Sequence, residues 1–229
     1  MTDKNPSKTA RIIKTVAALL ILVAVIFGPA GTFKWPEAWI FLILYILFTT
    51  AAVIWMKKND PELLNERMSN KKDVKKWDKY ILLAYTFVIL VLFVTAGLDA
   101  VRFRWSHVPL VVKIIGFLGF FPAAILVFRV MTVNTYLSEK VRIQEERGHK
   151  VCTTGPYRYV RHPMYVGVII FSICLPLALG SFYSLIPGLI VVVLFMVRTS
   201  LEDKTLKNEL PGYEEYAKKV RYKLIPGVW

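Results

Sequence analysis

The sequence predicts an all-α, polytopic integral membrane protein with about six transmembrane segments, and composition, apolar runs and charge distribution support this prediction. Hydrophobic residues make up 55% of the chain, and its mean hydropathy is +0.48. Both values are too high for an ordinary soluble domain. The composition therefore places the protein in the membrane class before any pattern is considered.

Charge-free runs locate the transmembrane segments. A helix needs about 20 apolar residues to cross the hydrocarbon core of a bilayer. Four runs reach or approach that length: residues 15–33, 38–56, 80–98 and 114–128. The fourth run is too short to cross the membrane unless the flank around Lys113 is included in the span. These runs predict a four-span N-terminal membrane region, residues 1–132, followed by a second region, residues 133–229.

The last apolar run, residues 164–197, holds 34 residues without a charge. One straight helix of that length would reach about 51 Å, whereas the hydrocarbon core is about 30 Å thick. The run must therefore fold back, and Gly180-Ser181 near its middle predicts a tight turn. We expect a hairpin of two short helices, residues 164–179 and 182–197. Pro176 and Pro187 are expected to kink them.

Lysine and arginine are concentrated on one side of the predicted spans. The N-terminus, residues 57–79, residues 129–161 and the tail from Arg198 carry 4, 8, 7 and 7 of the 30 basic residues. The opposite side carries only Lys34, Arg102, Arg104 and Lys113. The positive-inside rule then places both termini in the cytoplasm. The net charge of +14 is a topology signal that also attracts anionic membrane lipids, and nucleic-acid binding is the weaker interpretation.

Polar residues cluster on either side of the predicted hairpin. Residues 154–167, TGPYRYVRHPMYVG, place cations, tyrosines and a histidine at the mouth of the apolar run. A lipid-facing helix would not tolerate these charges. Because a hairpin returns the chain to the side that it left, we expect two groups to lie close together. These groups are Arg161, His162 and Tyr165 before the hairpin, and Arg198 and Glu202 after it.

Local signals predict how the chain is shaped around this cluster. Pro163 suits the first turn of a helix, where a missing N–H carries no penalty, and Gly155-Pro156 marks a turn just before it. The backbone N–H groups there are expected to be free to bind a ligand carboxylate. Residues 210–221 are expected to form an amphipathic surface helix that covers the site. Tyr213, Tyr216 and Val220, at positions i, i+3 and i+7, would lie on one side of it.

Each member of the cluster also has a purely structural explanation. Arg158 and Arg161 are typical of interfacial anchors, His162 of a histidine satisfied at the interface, and the tyrosines of an aromatic belt. Arg198 and Glu202, four residues apart on one helix face, are typical of an ordinary ion pair. The gathering of all of them around one predicted hairpin favours a functional site.

At these residues the sequence resembles the isoprenylcysteine carboxyl methyltransferase (ICMT) family, membrane enzymes that methylate carboxylates with S-adenosylmethionine. The matching elements are RHPMYVG at residues 161–167, Thr154-Gly155-Pro156-Tyr157 before it, the acidic pair Glu202-Asp203, and the tail from Gly212 to Arg221. The resemblance covers residues 144–229, and the first four spans contribute only hydropathy. The family lies within a wider group that includes phospholipid N-methyltransferases.

The resemblance implies a cytoplasmic pocket for S-adenosylmethionine that the tail closes, which makes residues 133–229 the catalytic region. Carried over to this sequence, the cofactor contacts are Gln144, His149, Lys150, Val151, Cys152, Tyr157, His162, Pro163, Met164, Tyr165 and Glu202. The catalytic residues would be Glu202 and Arg198, of which Arg198 would meet the substrate carboxylate. The family's paired glutamates are Glu202 and Asp203 here, which keeps the charge but shortens one arm.

The chemistry of these residue types agrees with such a site. The faces of Tyr157 and Tyr165, together with the Glu202 carboxylate, would stabilise a sulfonium cation. A substrate carboxylate is already nucleophilic at pH 7, so orientation and desolvation suffice without a general base, and Arg198 would dock it bidentately. The chain lacks Gly-x-Gly-x-x-Gly after a strand, which excludes a soluble Rossmann-type methyltransferase. Its two cysteines lack metal-binding spacing.

Three enzymatic functions, and a non-catalytic membrane scaffold, are compatible with the sequence. The first is carboxyl O-methylation of a prenylcysteine-like or other lipophilic substrate that enters from the bilayer. The second is N-methylation of a phospholipid amine, which requires His162, Glu202 or Asp203 as a general base. The third is an NADPH-dependent reductase like the sterol reductases, whose C-terminal ends resemble residues 213–229, but which usually carry an acidic residue at the position of Val168. The active site would face the cytoplasm, at the inner membrane of a prokaryote or the endoplasmic reticulum of a eukaryote.

Overall fold

The computed structural model describes residues 8–68 and 73–229, and the regular secondary structure of these ranges is helical throughout. The α-helices are α1 (Lys8–Ala30), α2 (Pro36–Asn59), α3 (Pro61–Met68), α4 (Lys76–Gly97), α5 (Leu110–Val133), α6 (Pro163–Leu179), α7 (Leu185–Glu209) and α8 (Tyr213–Lys219). A π-helical turn, Leu98–Phe103, extends α4, and two 3₁₀ turns, Glu145–Arg147 and Gly155–Arg158, lie between α5 and α6.

Four helices of the described ranges are long and apolar enough to cross a membrane: Pro36–Asn59, Lys76–Phe103, Leu110–Val133 and Leu185–Glu209. Two shorter apolar stretches are Thr15–Ala30 and Pro163–Leu179. Only 17% to 33% of each long span is buried within the protein, so most of its apolar side chains face outward, as in helices that contact lipid. The all-helical membrane class is thus confirmed.

The count of six spans and the cytoplasmic location of both termini stay predictions. Lys4, Lys71 and Lys72, three of the basic residues used above to orient the chain, lie outside the described residues.

The last two apolar helices form a hairpin. α6 and α7 pack against each other, and Gly180 ends α6 in the left-handed conformation with φ +83°. α7 begins at Leu185 and continues to Glu209, so the predicted bounds of residues 182–197 are wrong at both ends. A charged residue ends an apolar run but not a helix, because lysine and glutamate are good helix formers. Pro187 lies in the first turn of α7, where its missing N–H gives no reason for the expected kink.

Small residues allow α5 and α6 to pack at close range. A Cβ added at Gly116 on α5 would overlap backbone atoms of Ala178 on α6. A Cβ added at Gly167 on α6 would lie 2.7 Å from Cγ2 of Val127 on α5. Close approach through glycine is a common means of helix association in lipid. The glycine of the RHPMYVG motif therefore serves the packing of α6 on α5.

A buried polar cluster at the turn end of the hairpin was not anticipated from the sequence. Asp99, in the π-helical turn after α4, is fully buried. It accepts hydrogen bonds from the hydroxyls of Ser106 and Ser181, at 2.7 and 2.5 Å, and from the Tyr183 N–H at 3.3 Å. These bonds join the end of α4 to the turn between α6 and α7.

Replacing Gly116 with alanine is expected to destabilise the contact between α5 and α6, because the new methyl group has no space against the Ala178 backbone. Overpacking of this kind costs about 1 to 3 kcal/mol, which thermal unfolding of the solubilised protein would record as a lower melting temperature. Gly28→Ala is the matched control, since a Cβ at Gly28 meets nothing within 4 Å. Equal effects of the two substitutions would contradict this packing argument.

Candidate active site

Arg161 connects three parts of the chain at the start of α6. Its Nε and Nη2 donate to the two carboxylate oxygens of Asp203 on α7, at 2.7 and 3.1 Å. Its Nη1 donates to the carbonyls of Val220 and Arg221 in the tail, at 2.7 and 2.8 Å. Arg161 and Asp203 are both buried, whereas Arg158 is exposed. Arg161 is therefore an internal clamp and not an interfacial anchor.

The last two backbone N–H groups before α6 are not free, which corrects for them the expectation that they bind a ligand carboxylate. Those of Arg161 and His162 donate to the carbonyls of Tyr222 and Lys223, at 3.0 and 2.9 Å. The tail runs beside this segment and occupies its donors. Local sequence does not reveal this pairing, because the acceptors lie far along the chain.

His162, Tyr165 and Glu202 form the centre of the site. Pro163 begins α6, as predicted, and places Tyr165 in the first turn, from which its hydroxyl donates to the Glu202 carboxylate. The His162 ring stacks parallel to that of Tyr165, with centroids 5.7 Å apart, and its Nδ1 lies 3.8 Å from Oε2 of Glu202. The expected proximity of residues across the hairpin is therefore confirmed.

Arg198 is buried beside this group, with its guanidinium carbon 5.1 Å from the centroid of the Tyr165 ring. Its Nε donates to Oδ1 of Asp78 at 2.8 Å, and its Nη2 donates to Oδ2 of Asp78 at 3.3 Å. Nη2 also donates to the Glu139 carbonyl at 2.8 Å. Across residues 8–68 and 73–229, Nη1 has no acceptor. Arg198 thus offers a ligand one uncommitted nitrogen, whereas the expected bidentate docking needs two.

Two buried carboxylates that shape the site were not anticipated from the sequence. Asp78 lies in the first turn of α4 and is fully buried. Glu66 on α3 is also buried and accepts from Nε of Arg142 at 2.9 Å. An acidic residue in the first turn of a helix is common, so Asp78 gave only a weak signal: a carboxylate at the edge of an apolar span. The partners of these carboxylates, Arg198 for Asp78 and Arg142 for Glu66, are distant from them in sequence.

A polar cavity lies between the chain before α6, the start of α6, the end of α7 and α8. Nine of the residues predicted to contact the cofactor line it: His149, Lys150, Val151, Cys152, Tyr157, His162, Met164, Tyr165 and Glu202. Gln144 is buried behind the lining, where its amide nitrogen donates to the Tyr136 carbonyl at 2.7 Å, and Pro163 is buried at the start of α6. The fold thus gathers the predicted residues, and their cofactor roles stay predictions.

The tail closes this cavity through α8. Tyr213 and Tyr216, on the predicted apolar side of that helix, are both buried and line the cavity. The Tyr213 hydroxyl donates to Oδ1 of Asp203 at 3.1 Å, and the Tyr216 hydroxyl donates to the Tyr157 carbonyl at 2.7 Å. The amphipathic pattern therefore predicts a helix in the right part of the chain, but α8 covers only Tyr213–Lys219 of the predicted residues 210–221, and Val220 lies beyond its end. Two hydroxyls hold it in place.

Burial sets the protonation of several groups in the cavity wall. Burial, with the charges of Arg142 and Arg147, lowers the pKa of His149 to about 4, so its imidazole is neutral at pH 7. Burial also raises the pKa of the Tyr157 and Tyr213 hydroxyls far above the usual range. A histidine of such low pKa and protonated phenols are poor general bases near neutral pH.

An apolar cavity of about 420 Å³ lies among α2, α4, α5 and α6. Its lining includes Phe41, Phe48, Phe120, Ala124, Gly167 and Phe171. Tyr85 on α4 also lines it, and the Tyr85 ring packs against Phe195 with centroids 5.2 Å apart. Phe195 packs in turn against Tyr165 at 5.1 Å. Tyr165 lines the polar cavity, Tyr85 lines the apolar one, and Phe195 contacts both rings.

Residues 114–208 match the sequence profile of the isoprenylcysteine carboxyl methyltransferase (ICMT) family. Over this segment the chain is similar to that family. The matched segment includes most of α5, all of α6 and nearly all of α7, so it carries Arg161, Tyr165, Arg198 and Glu202. Asp78 lies outside the ICMT match.

Curated relatives carry names from the ICMT family. The chain is 36% identical over 85 residues to the protein-S-isoprenylcysteine O-methyltransferase of Schizosaccharomyces pombe, which covers 36% of each chain. It is 34% identical over 122 residues, 50% of this chain and 58% of the relative, to the probable protein-S-isoprenylcysteine O-methyltransferase of Oryza sativa subsp. indica. It is 32% identical over 93 residues, 40% and 47%, to protein-S-isoprenylcysteine O-methyltransferase B of Arabidopsis thaliana. The aligned part of the chain thus spans 36% to 58% of the length of these relatives.

His149 is expected to make stability fall as the pH drops below about 6.5. The pKa of an unfolded histidine is about 6.5, and that of folded His149 is about 4. Above pH 6.5 both states are neutral, so the residue adds no pH dependence. Between these values the unfolded state binds a proton that the folded state does not, and stability decreases with falling pH.

Melting temperatures of the wild type and of His149→Gln, measured from about pH 7 to pH 4.5, test this dependence. The substitution should flatten the acid limb of the curve. His107→Gln, at an exposed position, is the control and should follow the wild type. Parallel curves for the wild type and His149→Gln would show that His149 is not the group responsible.

Proposed function

We propose that this protein is an integral membrane methyltransferase that transfers a methyl group from S-adenosylmethionine to the carboxylate of a prenylcysteine-like or other lipophilic substrate. One observation carries the proposal: Tyr165, Glu202 and Arg198 meet at the wall of the polar cavity, and the rings of Phe195 and Tyr85 connect Tyr165 to the wall of the apolar cavity. The ICMT match and the names of the relatives support it.

The residues of the polar cavity fit S-adenosylmethionine in their chemistry. The Glu202 carboxylate is held by Tyr165 and is partly exposed, so it can pair with a sulfonium or ammonium group. The Tyr136 and His149 rings, with centroids 4.8 Å apart, both line the cavity and offer aromatic faces against which an adenine can stack. Lys150 lines the cavity and can pair with the cofactor carboxylate. When bound, the cofactor supplies a methyl group on a positively charged sulfur.

Arg198 would hold the acceptor carboxylate through Nη1, with Tyr165 beside it. Both side chains are buried, and exclusion of water strengthens the attraction between guanidinium and carboxylate. An ionised carboxylate is a nucleophile without proton removal, so these residues need only orient and desolvate it. The hydrocarbon part of the substrate would occupy the apolar cavity, which opens among lipid-facing helices.

A phospholipid amine is the second candidate acceptor. It is favoured by one observation, the approach of His162 Nδ1 to Oε2 of Glu202 at 3.8 Å, because such a pair can accept the proton that an ammonium must lose. The relatives described above are all named as O-methyltransferases, which favours the carboxylate.

The proposal includes a topology of six spans with both termini and the active site in the cytoplasm, at an inner membrane or an endoplasmic reticulum. The concentration of basic residues on that side supports it. Residues 1–132 would form a membrane region and residues 133–229 the catalytic region. Asp78 belongs to the first and pairs with Arg198 of the second, so the two regions would share one site.

Glu202→Gln is expected to weaken S-adenosylmethionine binding about tenfold or more, because it removes the charge that faces the sulfonium. Isothermal titration of the solubilised protein measures the affinity, and a thermal-shift series compares S-adenosylmethionine with NADPH. Glu209→Gln is the matched control, since Glu209 ends the same helix and pairs with Lys75 at 2.6 Å. A protein stabilised by NADPH alone would contradict a methyltransferase, and equal losses in both variants would contradict the role of Glu202.

Ala124→Trp is expected to raise KM for a prenylated acceptor about tenfold, with little change in cofactor affinity, because its ring fills the apolar cavity that Ala124 lines. Transfer of labelled methyl to N-acetyl-S-farnesylcysteine, counted as base-labile ester, measures KM. Ile125→Trp is the control, since the Ile125 side chain is 62% exposed on the outer face of the same helix. Label found in phosphatidylethanolamine and not in the farnesylcysteine would favour N-methylation instead.

A further inference from the structure

Asp78 is the buried partner of Arg198. It lies 0% exposed in the first turn of α4, and its Oδ1 accepts from Nε of Arg198 at 2.8 Å. Its Oδ2 accepts from Nη2 at 3.3 Å and from the Val141 N–H at 2.8 Å. Both oxygens of Asp78 are therefore used, and they fix one edge of the guanidinium.

The Arg198 guanidinium is also held on its other sides. Nη2 donates to the Glu139 carbonyl at 2.8 Å. The rings of Tyr165 and Phe195 lie 5.1 and 5.7 Å from the guanidinium carbon, at distances where aromatic faces attract a cation. With an edge and a face constrained, the group has one orientation, and Nη1 is the nitrogen left without a protein acceptor in the described part of the chain.

The second buried arginine of the site gives an internal comparison. All three nitrogens of Arg161 have protein acceptors, two on Asp203 and two carbonyls in the tail. Four of its five N–H groups are thus used, at least one on every nitrogen, which suits a clamp. Arg198 has the same kind of buried carboxylate partner, but both N–H groups of its Nη1 are unused in the described part of the chain. Burying an ion pair is costly and often weakly stabilising, so an incomplete one against Tyr165, which lines the polar cavity, indicates a role beyond folding.

We propose that Asp78 is a positioning residue that aims Nη1 of Arg198 at the substrate carboxylate. The inference rests on the proposed function, and it deepens it by assigning a single-donor contact in place of a bidentate one. Asp78 would act only through Arg198 and would not touch the substrate or the cofactor. Its loss should therefore affect recognition of the acid and spare cofactor binding.

Asp78→Asn tests this with a side chain of nearly the same shape. KM for N-acetyl-S-farnesylcysteine should rise about tenfold to a hundredfold, as expected for a misplaced charge-assisted hydrogen bond, while the dissociation constant for S-adenosylmethionine stays within about twofold. Asp78→Glu keeps the charge, so its KM should lie between those of the wild type and Asp78→Asn. Glu37→Gln is the control, because Glu37 pairs with Lys113 at 2.6 Å in an ion pair that is partly buried and distant from the site.

A double-substitution cycle separates positioning from a general loss of structure. If Asp78 acts through Arg198, then Asp78→Asn adds nothing to KM in an Arg198→Gln background. Additive effects would overturn the inference, as would Asp78→Asn with wild-type KM. Should Asp78→Asn fail to fold, Asp78→Glu carries the cycle, since it moves the carboxylate by one methylene and should still raise KM without changing cofactor affinity.

A binding comparison distinguishes this inference from the proposed function. Wild-type protein should bind N-acetyl-S-farnesylcysteine more tightly than its methyl ester, and Asp78→Asn should lose that preference. A preference that survives in Asp78→Asn overturns the positioning role alone. Equal binding of acid and ester by the wild type would overturn both the carboxylate substrate and the role of Asp78, and it would leave S-adenosylmethionine binding to test the methyltransferase class separately.

Discussion

The pairing of buried charges along α7 is the constraint on which the rest of the structure depends. A guanidinium or carboxylate withdrawn from water is strongly destabilising unless it is paired and hydrogen-bonded. Arg198 and Asp203 are both buried on this helix, and each finds its partner on another segment, Asp78 on α4 and Arg161 before α6. These two pairs determine how α4, α6 and the tail lie around α7.

The same helix lies between the wall of the polar cavity and the wall of the apolar one, because Phe195 on α7 contacts Tyr165 of the first and Tyr85 of the second. The first half of α7 carries no charge, whereas its second half carries Arg198, Glu202 and Asp203. Arg198 is the first charged residue after the apolar half. Of the two rings beside it, Tyr165 carries one hydroxyl and Phe195 has no polar group. A molecule with an ionised head and a hydrocarbon body fits such a boundary, because each part meets the environment in which it is stable.

The two ends of the hairpin use buried polar groups in different ways. At the turn end, Asp99 is surrounded by donors from Ser106, Ser181 and Tyr183, and the cluster links loops. At the other end, the described contacts leave Nη1 of Arg198 uncommitted, and the Glu202 carboxylate is partly exposed to a cavity. A satisfied network rigidifies a fold, while an incomplete one beside a cavity retains capacity for a ligand.

The sequence by itself determined the membrane class, the hairpin, the start of α6 at Pro163 and the gathering of Tyr165 with Arg198 and Glu202. The helix start follows from the preference of proline for a first turn, and the others from the hydropathy of a run and the length that a helix must span. It did not reveal Asp78, the end of α7, or the tail that occupies the N–H groups of the segment before α6. Those features were decided by tertiary structure alone, because a buried charge or backbone donor takes whichever partner the packed helices bring to it, and that partner lies far along the chain.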